Sequence, residues 1–265
     1  MNVSSALVLA AASLLGLAAL QAVTFAVARR IGRYNVVDVV WGLGFVVVAA
    51  LAALLGTAPV ERRVLLLVLV AVWGLRLSLH MHRRTAGHGE DPRYTALLDR
   101  HGHSAGVVVR RIFLTQGLAQ WVISLPLQVA AVTGPVSGVV RLLVVAGVLV
   151  WLIGFVFEAV GDRQLARFRA DPRHRGTVMD RGLWAWTRHP NYFGDACVWW
   201  GLWLVAAAAW PGALTVFAPL LMTYVLVQGT GARLLEEHMA ERPGYREYQR
   251  RTAYFFPRPP RRSRP

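Results

Sequence analysis

Arg188, His189, Asn191, Tyr192 and Asp195 crowd one short stretch, RGLWAWTRHPNYFGD, running from Arg181 to Asp195. A guanidinium, an imidazole, a carboxamide, a phenol and a carboxylate in so little chain supply hydrogen-bond donors, acceptors and a group that titrates near neutrality. The stretch is punctuated by Gly182, Pro190 and Gly194 and runs straight into apolar sequence, so it is expected where a membrane begins. Glu158 and Asp162 precede it at i, i+4 spacing, which puts both carboxylates on one helix face. Like charges so placed repel unless they share cationic or donor partners, such as ribose hydroxyls or nearby Arg. The plainer account of the pair is a solvated helix end at the interface. Arg167, Arg169, Arg173 and Arg175 follow, with Arg181 and Arg188. As a group they suit nucleotide phosphates, because a guanidinium binds phosphate bidentately. Charge that merely orients the chain in a membrane would look the same for some of them.

The N-terminal half offers fewer candidates. Asp38 lies near the start of an apolar segment, where pairing with Arg33 or Arg76 is its bland explanation. His80 and His82 end the next apolar segment. Two residues apart on a helix they face different ways, so no metal site is expected. A single His at a site's rim is the better use, as a proton donor. His80, with Asp38, is therefore the candidate acid. No GxGxxG and no P-loop occur, so a nucleotide would not be held by a Rossmann fold or a Walker motif.

The elements that must position these groups are apolar helices. The chain has 265 residues, is 55% hydrophobic and has a mean hydropathy of +0.44, too apolar for an ordinary soluble domain. Seven helices are expected: Ser5 to Ala28, Val36 to Ala58, Val64 to Met81, Ile112 to Val132, Gly138 to Val160, Tyr192 to Ala209 and Ala213 to Gln228. Glu158 falls in the last turn of the fifth. Long polar loops, Arg83 to Arg111 and Gly161 to Asn191, separate helices 3 and 4 and helices 5 and 6. The expected fold is an all-α polytopic membrane protein forming a single integral membrane domain over 1–265. It comprises a four-helix part at 1–135, a part bearing the motif at 136–257 and a disordered basic tip at 258–265.

The formal charge is +15, and every basic residue is Arg. Those Arg lie in loops between apolar runs, which favours orientation by the positive-inside rule over nucleic-acid binding. Loops 1–2, 3–4 and 5–6 and the tail carry nearly all of them, loops 4–5 and 6–7 carry none, and only Arg62 and Arg63 break the pattern. The N-terminus is therefore expected outside and the C-terminus in the cytoplasm, with both long loops on the cofactor-rich side. The lack of basic residues before the first apolar run, with Arg29, Arg30 and Arg33 after it, argues for a spanning helix rather than a cleaved signal peptide. Cys197 is the only cysteine, so no intrachain disulfide can form, and it is expected to serve packing.

RGLWAWTRHPNYFGD, the apolar hairpin after it and LLEEHMAERPGYREYQRRTAYFFP together resemble the C-terminal half of the membrane steroid 5α-reductase superfamily, most closely its bacterial DUF1295 branch. DVVWGLGF, WGLRLSLHMHRR, GEDPRY and GFVFEAVGDRQLARFR extend the likeness over most of the chain. The resemblance implies a seven-helix fold in a bacterial plasma membrane, NADPH bound from the cytoplasm and hydride transfer to the C=C of an enone in a steroid-like or other lipid. It implies that Asn191 contacts the nicotinamide carboxamide with Asp195 beside it, that Glu158 and Asp162 line the cofactor site and that Arg169 approaches the phosphates. Arg188, His189 and Tyr192 join this cofactor set as members of the same motif. In the steroid enzymes a Glu and a Tyr polarise the substrate carbonyl, and here Asp38 and His80 fall in their place. The RHPNYFG core and the EE…YREY…P tail are also similar to isoprenylcysteine carboxyl methyltransferases, which makes S-adenosylmethionine-dependent methyl transfer the alternative. A non-enzymatic transporter or scaffold is the third class.

Overall fold

A computed structural model describes residues 3–229 and 231–260, and among them the architecture is helical, with one isolated bridge between Thr187 and Ala253. The chain divides into two compact units. Unit 1 comprises Met1–Arg141 and Ala206–Ala218, and unit 2 comprises Leu142–Val205 and Pro219–Pro265.

In unit 1, α1 (Val3–Ile31), α2 (Val36–Leu55) and α3 (Val60–Thr85) are each long and apolar enough to cross a membrane. α1 buries one stripe only: Leu9, Ser13, Leu17, Gln21, Thr24 and Ala28. The spacing keeps them on one face, and most of the remaining side chains are left to an apolar surrounding. Gln21 on that stripe donates to Gln120 Oε1 at 2.9 Å, and Gln120 donates to the Trp41 carbonyl at 2.8 Å, so a buried amide relay ties α1 and α2 to the fourth expected span. α3 runs longer at both ends than hydropathy implies, because its first and last turns are built of Arg, Glu and His that tolerate a helix in polar surroundings.

The polar loop expected at Arg83 to Arg111 holds α4 (Pro92–His101) and α5 (Ala105–Val108). Asp91 caps α4 by accepting the Arg93 backbone N–H at 2.9 Å, and Pro92 occupies its first turn. The span expected at Ile112 to Val132 is not one helix. A π-helical turn at Val109–Leu114 leads into α6 (Thr115–Ile123), and α7 (Leu125–Ala130) follows a break at Ser124. Pro126 lacks the N–H that a continuous helix would need there.

Arg62 and Arg63, the two exceptions to the loop-charge pattern, have local work. Arg62, 7% exposed, donates to Thr133 Oγ1 at 2.9 Å and to the Thr133 and Gly134 carbonyls. Arg63 donates to the Ala53 and Ala58 carbonyls at the end of α2. Both guanidinium groups thus serve backbone carbonyls at chain turns, and Arg63 takes one, Ala53 O, that the last turn of α2 leaves without a helical partner.

In unit 2, α8 (Arg141–Ala170) extends through Gly161 to Ala170, a segment expected as loop. GDRQLARFRA has good helix formers and nothing to stop it before Asp171. α9 (Pro190–Ala207) starts with Pro190 at its first position. Its head carries Asn191, Tyr192 and Asp195, which leaves it outside the five helices long and apolar enough to span. The fourth and fifth of those are Gly138–Ala170 and Gly212–Met239. The last contains α10 (Phe217–Tyr224), a second π-helical turn at Val225–Gly229 and α11 (Ala232–Met239). α12 (Tyr245–Arg251) completes the tail.

α8 and α9 meet on glycines. A Cβ on Gly147 would lie 2.6 Å from the Gly201 carbonyl, and one on Gly154 would lie 2.5 Å from the Gly194 carbonyl and 2.6 Å from Val198 N. Small residues at this seam let the backbones touch, which is how apolar helices associate where lipid offers no hydrophobic gain. The approach presses Glu158 and Asp162 against the head of α9.

Candidate functional site

Glu158 and Asp162 share the buried face of α8, 3% and 6% exposed, well inside the helix rather than at its last turn. Asn191 Nδ2 donates to Asp162 Oδ1 at 3.2 Å. That bond joins the α8 carboxylates to the RHPNYFG stretch. Asp195, one turn further along α9, is 7% exposed. Trp184 Nε1 donates to the Gly161 carbonyl at 3.0 Å and the Leu183 N–H to Gln164 Oε1 at 3.0 Å, which anchors the approach to the motif on α8. Arg169 is exposed near the end of α8, and Arg173 is exposed and paired with Asp171 at 2.7 Å.

Arg188 and His189 are turned to the tail, and the residue that gathers them is Glu236 on α11. Glu236 Oε1 accepts from Arg188 Nε at 2.7 Å, His189 Nε2 at 3.0 Å and the Tyr245 hydroxyl at 2.8 Å. Its Oε2 accepts from Arg188 Nη2 at 3.1 Å and Gln249 Nε2 at 2.6 Å. Arg188 Nη1 also donates to the carbonyls of Gln249 and Thr252 at 3.1 and 2.7 Å. The chains run side by side here: the Arg188 N–H donates to Ala253 O, Thr187 Oγ1 to Phe255 O and the Arg258 N–H to Trp186 O. Arg258, expected to begin a disordered tip, is thus held by its backbone; 261–265 lie outside the described residues.

His189 is fully buried, stacks on Tyr192 with ring centroids 5.7 Å apart and meets Tyr254 edge-on. Glu236 is an acceptor, so neutral His189 carries its proton on Nε2. Its Nδ1 is buried with no hydrogen-bond partner among the described residues. Burial therefore pushes the His189 pKa below its ordinary value; Glu236 opposes that shift and Arg188 adds to it. Tyr245 is pushed up, first by burial and then by the Glu236 carboxylate it bonds.

In unit 1, Asp38 pairs with neither Arg33 nor Arg76. The Tyr94 hydroxyl donates to Asp38 Oδ1 at 2.5 Å, Arg93 Nη2 donates to Oδ2 at 3.1 Å, and Gln116 Nε2 donates to the Tyr94 oxygen at 3.0 Å. Tyr94 is held protonated by burial and by the neighbouring Asp38 charge, both of which raise its pKa. Glu90, just ahead of α4, accepts the backbone N–H groups of Tyr34 and Asn35 at the start of α2, and Arg33 donates to the Thr85 and His88 carbonyls at the end of α3 and just beyond it. His80 is half-buried on α3. No group of three or more potential metal-ligating side chains occurs among the described residues.

Sequence reasoning missed Glu236 and Tyr94 as partners of the named residues. Both lie in segments that stood out, the EE…YREY tail and GEDPRY, but the residues they bond are 47 and 56 positions away along the chain.

The family model described as "Protein of unknown function (DUF1295)" matches residues 24–252. The chain belongs to the DUF1295 family. An uncharacterised protein of Schizosaccharomyces pombe is 39% identical over 96 residues, 35% of this chain and 27% of that protein. The steroid 5-alpha-reductase DET2 of Arabidopsis thaliana is 38% identical over 69 residues, 26% of each chain. This DUF1295 chain thus spans about a quarter of the length of the curated relatives it matches. Family and relative together put it in the steroid 5α-reductase-like superfamily, a membrane reductase-like group. No solved structure matches it.

Proposed function

We propose that this DUF1295 protein is a membrane reductase that carries hydride from NADPH to the β-carbon of an enone in a steroid-like or other lipid. The observation that carries the reading is the bond from Asn191 to Asp162, which ties the RHPNYFG stretch to the buried carboxylates of α8. With one N–H on Asp162, Asn191 leaves its amide oxygen to accept from the NH2 of a nicotinamide carboxamide. Glu158, Asp162 and Asp195 are acceptors suited to amide or ribose N–H and O–H groups, and Tyr192 offers a ring and a hydroxyl. Arg169 is exposed at the polar end of α8, where phosphates remain in water. Bound NADPH would supply the hydride. Arg188 and His189 serve this set by holding the turn on Glu236. For the substrate carbonyl, our candidates are Asp38 and His80, joined by Tyr94, whose hydroxyl keeps its proton at neutral pH.

We further propose seven crossings, N-terminus outside and C-terminus cytoplasmic, with the cofactor set facing the cytoplasm of a bacterial plasma membrane. The broken rod from α5 to α7 and α9 would join the five long helices. The Arg distribution supports this, and the exceptions, Arg62, Arg63 and Arg141, each donate to backbone carbonyls nearby.

The test is thermal shift of detergent-purified protein with NADPH, NADH, NADP⁺ and S-adenosylmethionine side by side. A ligand at a hundred times its dissociation constant adds about 2.7 kcal/mol to stability. The expected result is a shift with NADPH that Asn191→Ala abolishes while the variant still unfolds cooperatively. A shift with S-adenosylmethionine alone assigns methyl transfer instead, and no shift with any of them favours a transporter or scaffold.

A further inference from the structure

An open cavity of about 690 Å³ lies in unit 2, where α10 gives way to the tail. Leu220, Thr223 and Tyr224 of α10 line one side, with Val227 and Gln228 of the π-helical turn, and Ala253 to Phe256 and Arg258 line the other. The π turn contributes to the cavity's form: the Val227 carbonyl accepts the Tyr254 hydroxyl at 3.2 Å, which draws the tail onto α10.

The lining joins apolar side chains to a single cation. Leu220 and Gln228 are separated by roughly 12 Å of helix axis. Leu220, Tyr224 and Phe256 are 52%, 61% and 70% exposed, an apolar patch that a protein surface in water rarely carries. Gln228 and Arg258 supply the polar part of the lining. The Arg258 backbone is bonded to Trp186 in the polar stretch ahead of α9. No described carboxylate pairs with Arg258. Arg261, Arg262 and Arg264 follow it in sequence.

We infer that this cavity is a binding site for one anionic phospholipid, with an acyl chain along Leu220, Tyr224 and Phe256 and the phosphate on Arg258. Exposed apolar side chains beside one cation match the acyl chain and the phosphate of a lipid. The cavity does not suit a nucleotide, which would set a polar base and ribose against Leu220, Tyr224 and Phe256. A zwitterionic lipid would place its own cation beside Arg258, so the site selects for net negative charge. The inference does not rest on the reductase reading.

The experiment is native mass spectrometry of protein purified in dodecyl maltoside, delipidated and titrated with phosphatidylglycerol or phosphatidylcholine. One phosphatidylglycerol should bind at least tenfold more tightly than phosphatidylcholine. Arg258→Ser should erase that preference, and Leu220→Trp should weaken both lipids by filling the cavity. Val64→Trp, on the exposed face of α3, should change neither. If Leu220→Trp does not fold, Arg258→Ser alone decides. Equal binding of the two lipids, no bound lipid, or a preference untouched by Arg258→Ser overturns the inference.

Discussion

Truncating Glu236 is the sharpest test of how the tail holds the RHPNYFG stretch, because Glu237 beside it is a built-in control. Glu236 is 12% exposed in its side chain and accepts five hydrogen bonds; Arg188, 10% exposed, gives it two of them. Glu236→Ala leaves a largely buried guanidinium without its counter-charge, and removing one partner of such a pair costs about 3–5 kcal/mol. At roughly 2–4 °C per kcal/mol for chains of this size, the Tm should fall by some 6 to 20 °C. Glu237 is 64% exposed and meets Arg233 at 3.7 Å, so Glu237→Ala should cost under about 1 kcal/mol. Glu236→Gln, which keeps the shape and loses the charge, should fall between. The assays are thermal unfolding in detergent and limited trypsin digestion, which should cut at Arg250 and Arg251 faster once α12 is released. The double variant Arg188→Met, Glu236→Gln should cost less than the sum of its parts, since no lone charge remains. Equal Tm values for the Glu236→Ala and Glu237→Ala variants, with unchanged trypsin cleavage, would refute the reasoning.

Two further outcomes follow from the same geometry. The His189 pKa is depressed in the folded chain, so as pH falls below about 6.5 the unfolded state takes up a proton the folded state resists, and stability drops. The Tm difference between pH 7.5 and pH 5.5 should shrink in His189→Gln, which can still donate to Glu236; an unchanged difference would remove His189 as the cause. Gly154→Ala puts a methyl against the Gly194 carbonyl and should cost about 1–3 kcal/mol, whereas Gly106→Ala, with open space and a helical backbone, should gain up to about 1 kcal/mol. Thermal unfolding of the two variants should move in opposite directions.

Much of the frame was legible in the amino acids, because a bilayer imposes its own rule: a run of about twenty apolar residues with its backbone satisfied internally must be helix. α1, α2, α3 and α8 follow from that rule, and so does the i, i+4 pairing of Glu158 and Asp162 on one face. Where hydropathy alone set the end of the fifth helix, the end was wrong, since GDRQLARFRA is polar and still helical. The break at Ser124 and the two π-helical turns arise where local backbone geometry and tertiary packing override periodicity. Partner choice belonged to the tertiary structure entirely. Arg188 and His189 look like ligand-binding groups in sequence, and Asp38 looks paired with a nearby Arg. Only the fold brings Glu236 to the first two and Tyr94 with Arg93 to the third. A charge declares in sequence that it needs a partner, because burying it alone is costly. Which partner it takes is decided by segments far along the chain, whose approach the glycine seam of α8 and α9 and the tail's pairing with Thr187 and Arg188 allow.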